Sequence, residues 1–231
     1  MLKCSRMRSA SEYSQIIDSI KSRLGKARLM AVSKTRTVEE IDMVYKAGVN
    51  LFGENHVQEI VQKFSSYRPE GLELHMIGHL QSNKVSKVVP LVDMIESIDS
   101  LSLLEKVDSC ASRNRKVMNV LLEYNTSSEA SKSGFNSEDS LFGCIEKGLA
   151  LNSIRICGLM TVGPLEHPEK TEQAFSYLVS LFEKCRKKYF SDRSYFKEIS
   201  MGMSHDWPLA VKQGSTLVRI GTAIFGERNY V

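Results

Sequence analysis

Short apolar runs alternate with stretches of helical periodicity along this whole chain, and that alternation limits its fold more than any other feature. The apolar runs are Leu29 to Lys34, Asn50 to Asn55, Glu73 to Leu80, Met94 to Asp99, Val117 to Tyr124, Ile154 to Val162, Phe196 to Met201 and Thr216 to Phe225. Each is followed by a segment that reads as helix. Thr37 and Glu40 have capping-box spacing ahead of Val38, Ile41, Val44 and Tyr45, and Gly48 ends that helix. Ala174, Tyr177, Leu178, Leu181, Phe182 and Cys185 form another apolar stripe, entered through Pro168. An additional helix, with Tyr13, Ile16, Ile17, Ile20 and Leu24 on one face, precedes the first run.

Strands separated by helices pair in parallel, because a parallel pair needs a crossover. An open doubly wound sheet would carry a glycine-rich turn after its first strand. Here that strand ends in Ser33-Lys34-Thr35, without one. Eight strands in 231 residues suit a closed barrel, for which ~250 residues is typical. The expected fold is α/β: a single (β/α)₈ TIM barrel spanning residues 1–231, with an extra N-terminal helix. Asn125 to Ser140, rich in Ser, Asn and Gly, reads as a long loop after the fifth strand.

Composition removes several classes. No apolar run is long enough to cross a bilayer. Lys3, Arg6 and Arg8 are not followed by the apolar segment of a secretory signal. The net charge of +4 is small and dispersed, so no nucleic-acid partner is expected. The dense basic stretch Lys184, Arg186, Lys187, Lys188 reads as the solvated face of a helix. Five scattered cysteines without a C-x-x-C pair suggest neither a disulfide framework nor a structural zinc site, and fit a cytoplasmic location. Glu166-His167-Pro168-Glu169 reads as a solvated loop entering a helix, and no metal is expected.

A barrel of this kind builds its site at the carboxyl ends of its strands. Lys34, Glu54, Asn55, His79, Gly202, Ser204, Arg219, Gly221 and Thr222 all fall there. A lysine ending an apolar strand is partly desolvated, which favours the neutral amine that attacks an aldehyde to form a Schiff base. A snorkelling lysine is the plainer alternative. Barrels commonly hold a phosphate at the loops after strands seven and eight. There Gly202 and Gly221 allow close approach of backbone N–H groups, Ser204 and Thr222 add hydroxyls, and Asp206-Trp207-Pro208 opens a short helix. Ordinary tight turns would look the same. By period two, Leu217, Arg219 and Gly221 share one face of the last strand, so Arg219 either enters the barrel, where it needs a partner, or breaks the outer apolar layer. Amine, phosphate cradle and inward arginine together suit pyridoxal 5′-phosphate (PLP), with Arg219 donating to the pyridine nitrogen and leaving it unprotonated.

These residues also lie in blocks that carry a resemblance. The blocks are Ala31-Val32-Ser33-Lys34-Thr35, Phe52-Gly53-Glu54-Asn55, His75-Met76-Ile77-Gly78-His79-Leu80-Gln81, Lys132-Ser133-Gly134, Gly158-Leu159-Met160-Thr161, Ser200-Met201-Gly202-Met203-Ser204 and Val218-Arg219-Ile220-Gly221-Thr222. From about Leu29 onward the chain closely resembles the pyridoxal phosphate homeostasis protein family. The resemblance implies a barrel like the N-terminal domain of alanine racemase, with PLP on Lys34, phosphate contacts from Ser204, Gly221 and Thr222, Arg219 on the pyridine nitrogen, and Asn55 near the cofactor. It also implies a carrier or buffer of PLP without efficient catalysis, with apo PLP-dependent enzymes as candidate recipients. A monomer is expected.

Two other functions keep a place beside the carrier. A PLP-dependent amino-acid racemase needs a base on each face of the cofactor. Lys34 would supply one, and Tyr230, near the terminus, is a poor second. An aldolase would use Lys34 on a substrate carbonyl and the cradle on a substrate phosphate. His75, Ile77 and His79 alternate on one strand face, which brings His79 toward the site unless it is a structural histidine. Lys132 and Lys84 read either as docking or second aldehyde-reactive amines or, more plainly, as exposed lysines.

Overall fold

A computed structural model describes residues 8–127, 133–164 and 168–227. Strands β1 (Arg28–Val32), β2 (Leu51–Glu54), β3 (Glu73–Met76), β4 (Met94–Ile98), β5 (Met118–Glu123), β6 (Ile154–Met160), β7 (Glu198–Ser200) and β8 (Leu217–Ile220) close into one parallel barrel in sequence order. Helix α1 (Ala10–Lys21) comes first. After it α2 (Val38–Lys46), α3 (Val57–Phe64), α4 (Val85–Val88), α5 (Leu101–Arg113), α6 (Glu138–Gly148), α7 (Pro168–Tyr189), α8 (Trp207–Lys212) and α9 (Thr222–Phe225) each follow the strand of the preceding number. The expected fold class is the observed one.

Local chemistry explains the boundaries. Thr37 and Glu40 form the reciprocal capping box that starts α2, and Ser9 and Glu12 do the same for α1. Outward strand residues such as Phe52, Leu74, Ile95, Val120 and Leu159 join the helices in one large core. Within it Phe196 lies between Phe182 and Phe190, with ring centroids at 4.7 and 4.0 Å. The α7 lysines and arginine face solvent as expected, and Lys184 and Arg186 pair with Glu138 and Glu183.

Inside the barrel the packing is only partly apolar. Met30, Leu51 and Leu217 form one small cluster, and Met94, Leu121, Cys157 and Met160 another. Gly53 makes room for the first, since a Cβ there would lie 2.4 Å from the Met30 sulfur. Between the clusters run charged side chains: His75, Glu96 and Arg219 are all essentially buried.

The structure corrects four expectations. The apolar run Thr216 to Phe225 is not one strand: β8 ends at Ile220, and Thr222–Phe225 turns into α9, with the amides of Phe225 and Gly226 bonded back to Gly221 and Thr222. The other strands are also shorter than their apolar runs; β3, for example, stops at Met76 and not at Leu80. The loop after β5 ends at Ser137, the N-cap of α6. His79 is exposed and sits 3.2 Å from Asp99, whereas His75 is the histidine that enters the barrel. Lys132, Glu166, His167 and Tyr230 lie outside the described residues.

Candidate cofactor site

The site grows from the ends of four neighbouring strands, because β1 pairs with both β2 and β8, and β8 with β7. Lys34 sits two residues past β1, half-buried, in a tight turn closed by the Arg36 amide on the Ser33 carbonyl at 3.0 Å. Thr35 takes a left-handed backbone conformation, φ 65°. For a β-branched residue this costs about 1–2 kcal/mol, so something must hold it.

A buried ionic cluster does so. Glu59, on α3, accepts the Thr35 amide at 2.6 Å and the Lys63 ammonium at 2.6 Å. Lys63 also donates to the Ser33 carbonyl at 2.8 Å and to Glu54 at 2.9 Å, while the Ser33 hydroxyl donates to the same Glu54 oxygen at 2.8 Å. Burial pushes the Glu54 carboxyl up, against the pull of Lys63; the hydrogen bonds from Lys63 and Thr35 hold Glu59 below the usual range. Sequence reasoning placed Glu54 at a strand end but missed Glu59 and Lys63. Their i,i+4 spacing on an amphipathic helix was the available signal.

Asn55, half-buried just past β2, has a side-chain carbonyl oxygen that is buried with no hydrogen-bond partner among the described residues. Gly78 fits tightly beneath it: a Cβ there would come within 2.3 Å of the Asn55 backbone oxygen.

On the β8 side, Gly221 packs against Val32 of β1; a Cβ on it would lie 3.4 Å from the Val32 carbonyl oxygen and side chain. The Ser204 hydroxyl accepts the amides of Gly221 and Ala223, each at 3.3 Å, which ties the loop after β7 to the start of α9. Thr222 opens that helix, half-buried. Gly202 has φ 93°, and a Cβ on it would press within 2.5 Å of the Ala210 side chain, so only glycine suits this turn. Asp206 caps the loop by accepting the Met203 amide at 2.5 Å.

Arg219 points inward as its strand face requires, 4% exposed. It donates to the Ser200 hydroxyl at 2.6 Å and to the Thr161 carbonyl at 2.7 Å. Burial disfavours its charge, and Glu96 and Glu123 lie close enough to oppose that. Burial pushes the Glu123 carboxyl up to about 7, with Arg219 opposing. Thus Lys34, Asn55, Ser204, Arg219, Gly221 and Thr222 come from adjacent strand ends. Glu96 and Glu123 are carboxylates that sequence reasoning did not single out.

The profile of the alanine racemase N-terminal domain matches residues 12–229. A pyridoxal phosphate homeostasis protein of Vibrio cholerae is 41% identical over 224 residues, 93% of this chain and 92% of the relative. This chain belongs to the pyridoxal phosphate homeostasis protein family. Family members with the same name are 38% identical in Aquifex aeolicus, over 88% of each chain, and 38% identical in Homo sapiens, over 88% of this chain and 77% of the relative. Among solved structures, the Synechococcus elongatus family member PipY with PLP bound superposes with a TM-score of 0.84 at 32% identity, covering 93% of this chain and 100% of PipY. Alanine racemase of Streptomyces coelicolor shares the fold, with a TM-score of 0.75 at 16% identity over 95% of this chain and 59% of the racemase. No described helix is long and apolar enough to cross a membrane.

Proposed function

We propose that this chain binds PLP covalently through Lys34 and acts as a carrier or buffer of the cofactor, without efficient catalysis. The observation that carries this reading is the packing of Gly221 on Val32, which sets the Ser204–Gly221–Thr222 cradle beside the strand that delivers Lys34. One molecule with an aldehyde and a phosphate can then engage both. When bound, PLP supplies an aldehyde carbon that condenses with an amine and a ring that takes up electron density.

The residues present fit that group. Lys34 is half-buried on a turn locked by Glu59 and Lys63, so its amine is presented from a fixed backbone. The buried Asn55 oxygen, an acceptor without a donor among the described residues, suits a ligand that brings one. Ser204, Gly221 and Thr222 would hold the phosphate through hydroxyls and amides. Arg219 would donate to the ring nitrogen and, as a permanent donor, leave it unprotonated. An arginine partner would make the ring a weaker electron sink than an aspartate would. The names of the relatives, and PLP in PipY, support the same role. One domain is taken to carry the whole site, as a monomer in the cytoplasm, with apo PLP-dependent enzymes as recipients.

The carrier role is tested by mixing PLP-loaded protein with an excess of an apo PLP-dependent enzyme. Transfer that restores the enzyme's activity faster than an equal concentration of free PLP, and that is lost with Lys34→Ala, is expected. Rapid exchange of an amino acid's α-proton in deuterated water, catalysed by the protein alone, would instead make it a racemase.

A further inference from the structure

Five charged side chains stack along the barrel axis. Arg28, at the floor, meets Glu73 at 2.9 Å. Glu73 meets the His75 Nε2 at 2.8 Å, and the His75 Nδ1 meets Glu96 at 2.6 Å. The other Glu96 oxygen accepts the Ser200 hydroxyl at 2.5 Å, and the Ser200 oxygen accepts Arg219 at 2.6 Å. Both imidazole nitrogens face carboxylates, so both carry protons; a neutral ring would set a lone pair against one of them. The charges therefore alternate from floor to mouth: plus, minus, plus, minus, plus.

We propose that Glu96 is the positioning residue for Arg219, holding its guanidinium at the cofactor's ring nitrogen through Ser200, with His75 bracing Glu96 from below. This rests on the assignment of PLP to Lys34 and Arg219. Arginine has a long stem and many rotamers, and an unpaired buried guanidinium is costly. Thr161 supplies one neutral acceptor. The Ser200 link adds a fully buried carboxylate one hydrogen bond away, reaching from the far side of the barrel. The other charged groups near this end are Glu123 and Asp206, which face Arg219, and Asp99, which faces Glu123. None of them makes a hydrogen bond to the guanidinium among the described residues. Glu96 also sets a negative charge behind Arg219, on the ring-nitrogen side of the cofactor. Removing it disfavours a proton on the Lys34–cofactor nitrogen and frees Arg219 to turn away.

The test uses PLP-loaded protein, Glu96→Gln and, because the buried change could prevent folding, Ser200→Ala as a second variant. Three quantities are read: labelling of Lys34 by borohydride, the pH midpoint of the visible absorbance change, and the rate of PLP release. In Glu96→Gln the midpoint is expected to fall by roughly one pH unit and release to quicken about tenfold. Ser200→Ala is expected to quicken release with a smaller change in midpoint, since the carboxylate remains. Glu96→Asp restores the midpoint more than the release rate, a split that a purely structural role does not produce. Labelling of Lys34 with a midpoint and release rate unchanged in both Glu96→Gln and Ser200→Ala overturns the positioning role and leaves the carrier reading intact. Absence of Lys34 labelling in the unmutated protein overturns both.

Discussion

The Thr35 amide donates to the Glu59 carboxylate at 2.6 Å, and through that bond a helix on the outside of the barrel fixes the backbone beside Lys34. The same carboxylate anchors Lys63, which in turn holds the Ser33 carbonyl on the other side of Lys34. The turn is thus gripped from both flanks by one ionic cluster. Glu59→Gln keeps the shape but removes the charge that two donors share. The expected loss is about 1–3 kcal/mol, read as a lower urea midpoint with an unchanged slope, together with faster PLP release. An unchanged midpoint and release rate would mean that the turn is held by other contacts.

Lys63→Met is expected to be more damaging. It leaves Glu54, which is fully buried, without its cation, and such half-broken buried pairs cost about 3–5 kcal/mol. Equilibrium unfolding of the variant checks this. The double change Lys63→Met with Glu54→Leu should recover much of the loss, because the uncompensated carboxylate is then gone.

Two glycines of the barrel make a contrast. A Cβ on Gly78 would meet the Asn55 backbone at 2.3 Å, and one on Gly53 would meet the Met30 side chain at 2.4 Å. Backbone at a strand end cannot move without carrying Asn55 with it, whereas a methionine tip can rotate. Gly78→Ala is therefore expected to destabilise by about 1–3 kcal/mol and to loosen PLP binding. Gly53→Ala should cost less and leave binding nearly unchanged. Equal effects of the two in a thermal melt and a PLP titration would contradict this distinction.

The architecture was legible because each buried strand of a parallel barrel is an apolar run and each crossover a helix with its own stripe. The last run misled for a physical reason. Thr222–Phe225 is apolar and short, and such a segment suits a buried helical turn as well as a strand. Lys34, Arg219 and the glycines announced themselves by sitting at strand ends or on an inward face. Glu96 did not, since its partners, His75 and Ser200, come from β3 and β7, far away in sequence. A charged residue within Met94-Ile95-Glu96-Ser97-Ile98 was, like Arg219 in β8, a local sign that the barrel interior is polar.

The buried imidazolium gives the protein a pH dependence of defined sign. Hydrogen bonds and charge from Glu73 and Glu96 overcome desolvation and push His75 up from 6.5 to about 9. A raised folded-state value contributes stability that is fully present below pH 6.5 and lost as pH rises through 9. Glu123, raised by burial to about 7, adds a loss of the same sign between about 4.5 and 7. Glu73, held by His75 at about 2, contributes in the other direction, losing its share as pH falls below 4.5. Urea unfolding between pH 6.5 and 9 should therefore show stability falling with pH, by up to about 3 kcal/mol for His75. His75→Gln should flatten that slope while lowering stability overall. A stability that rises over the same interval would contradict the charge assignment.

The central claim is tested most directly by reducing the PLP-loaded protein with borohydride, digesting it, and locating the pyridoxyl group by peptide mass spectrometry. A single modification at Lys34, at close to one per chain and abolished in Lys34→Ala with loss of the yellow colour, is the predicted result. A modification spread over surface lysines, or a Lys34→Ala protein that retains its colour with PLP bound at the same mouth, would contradict it.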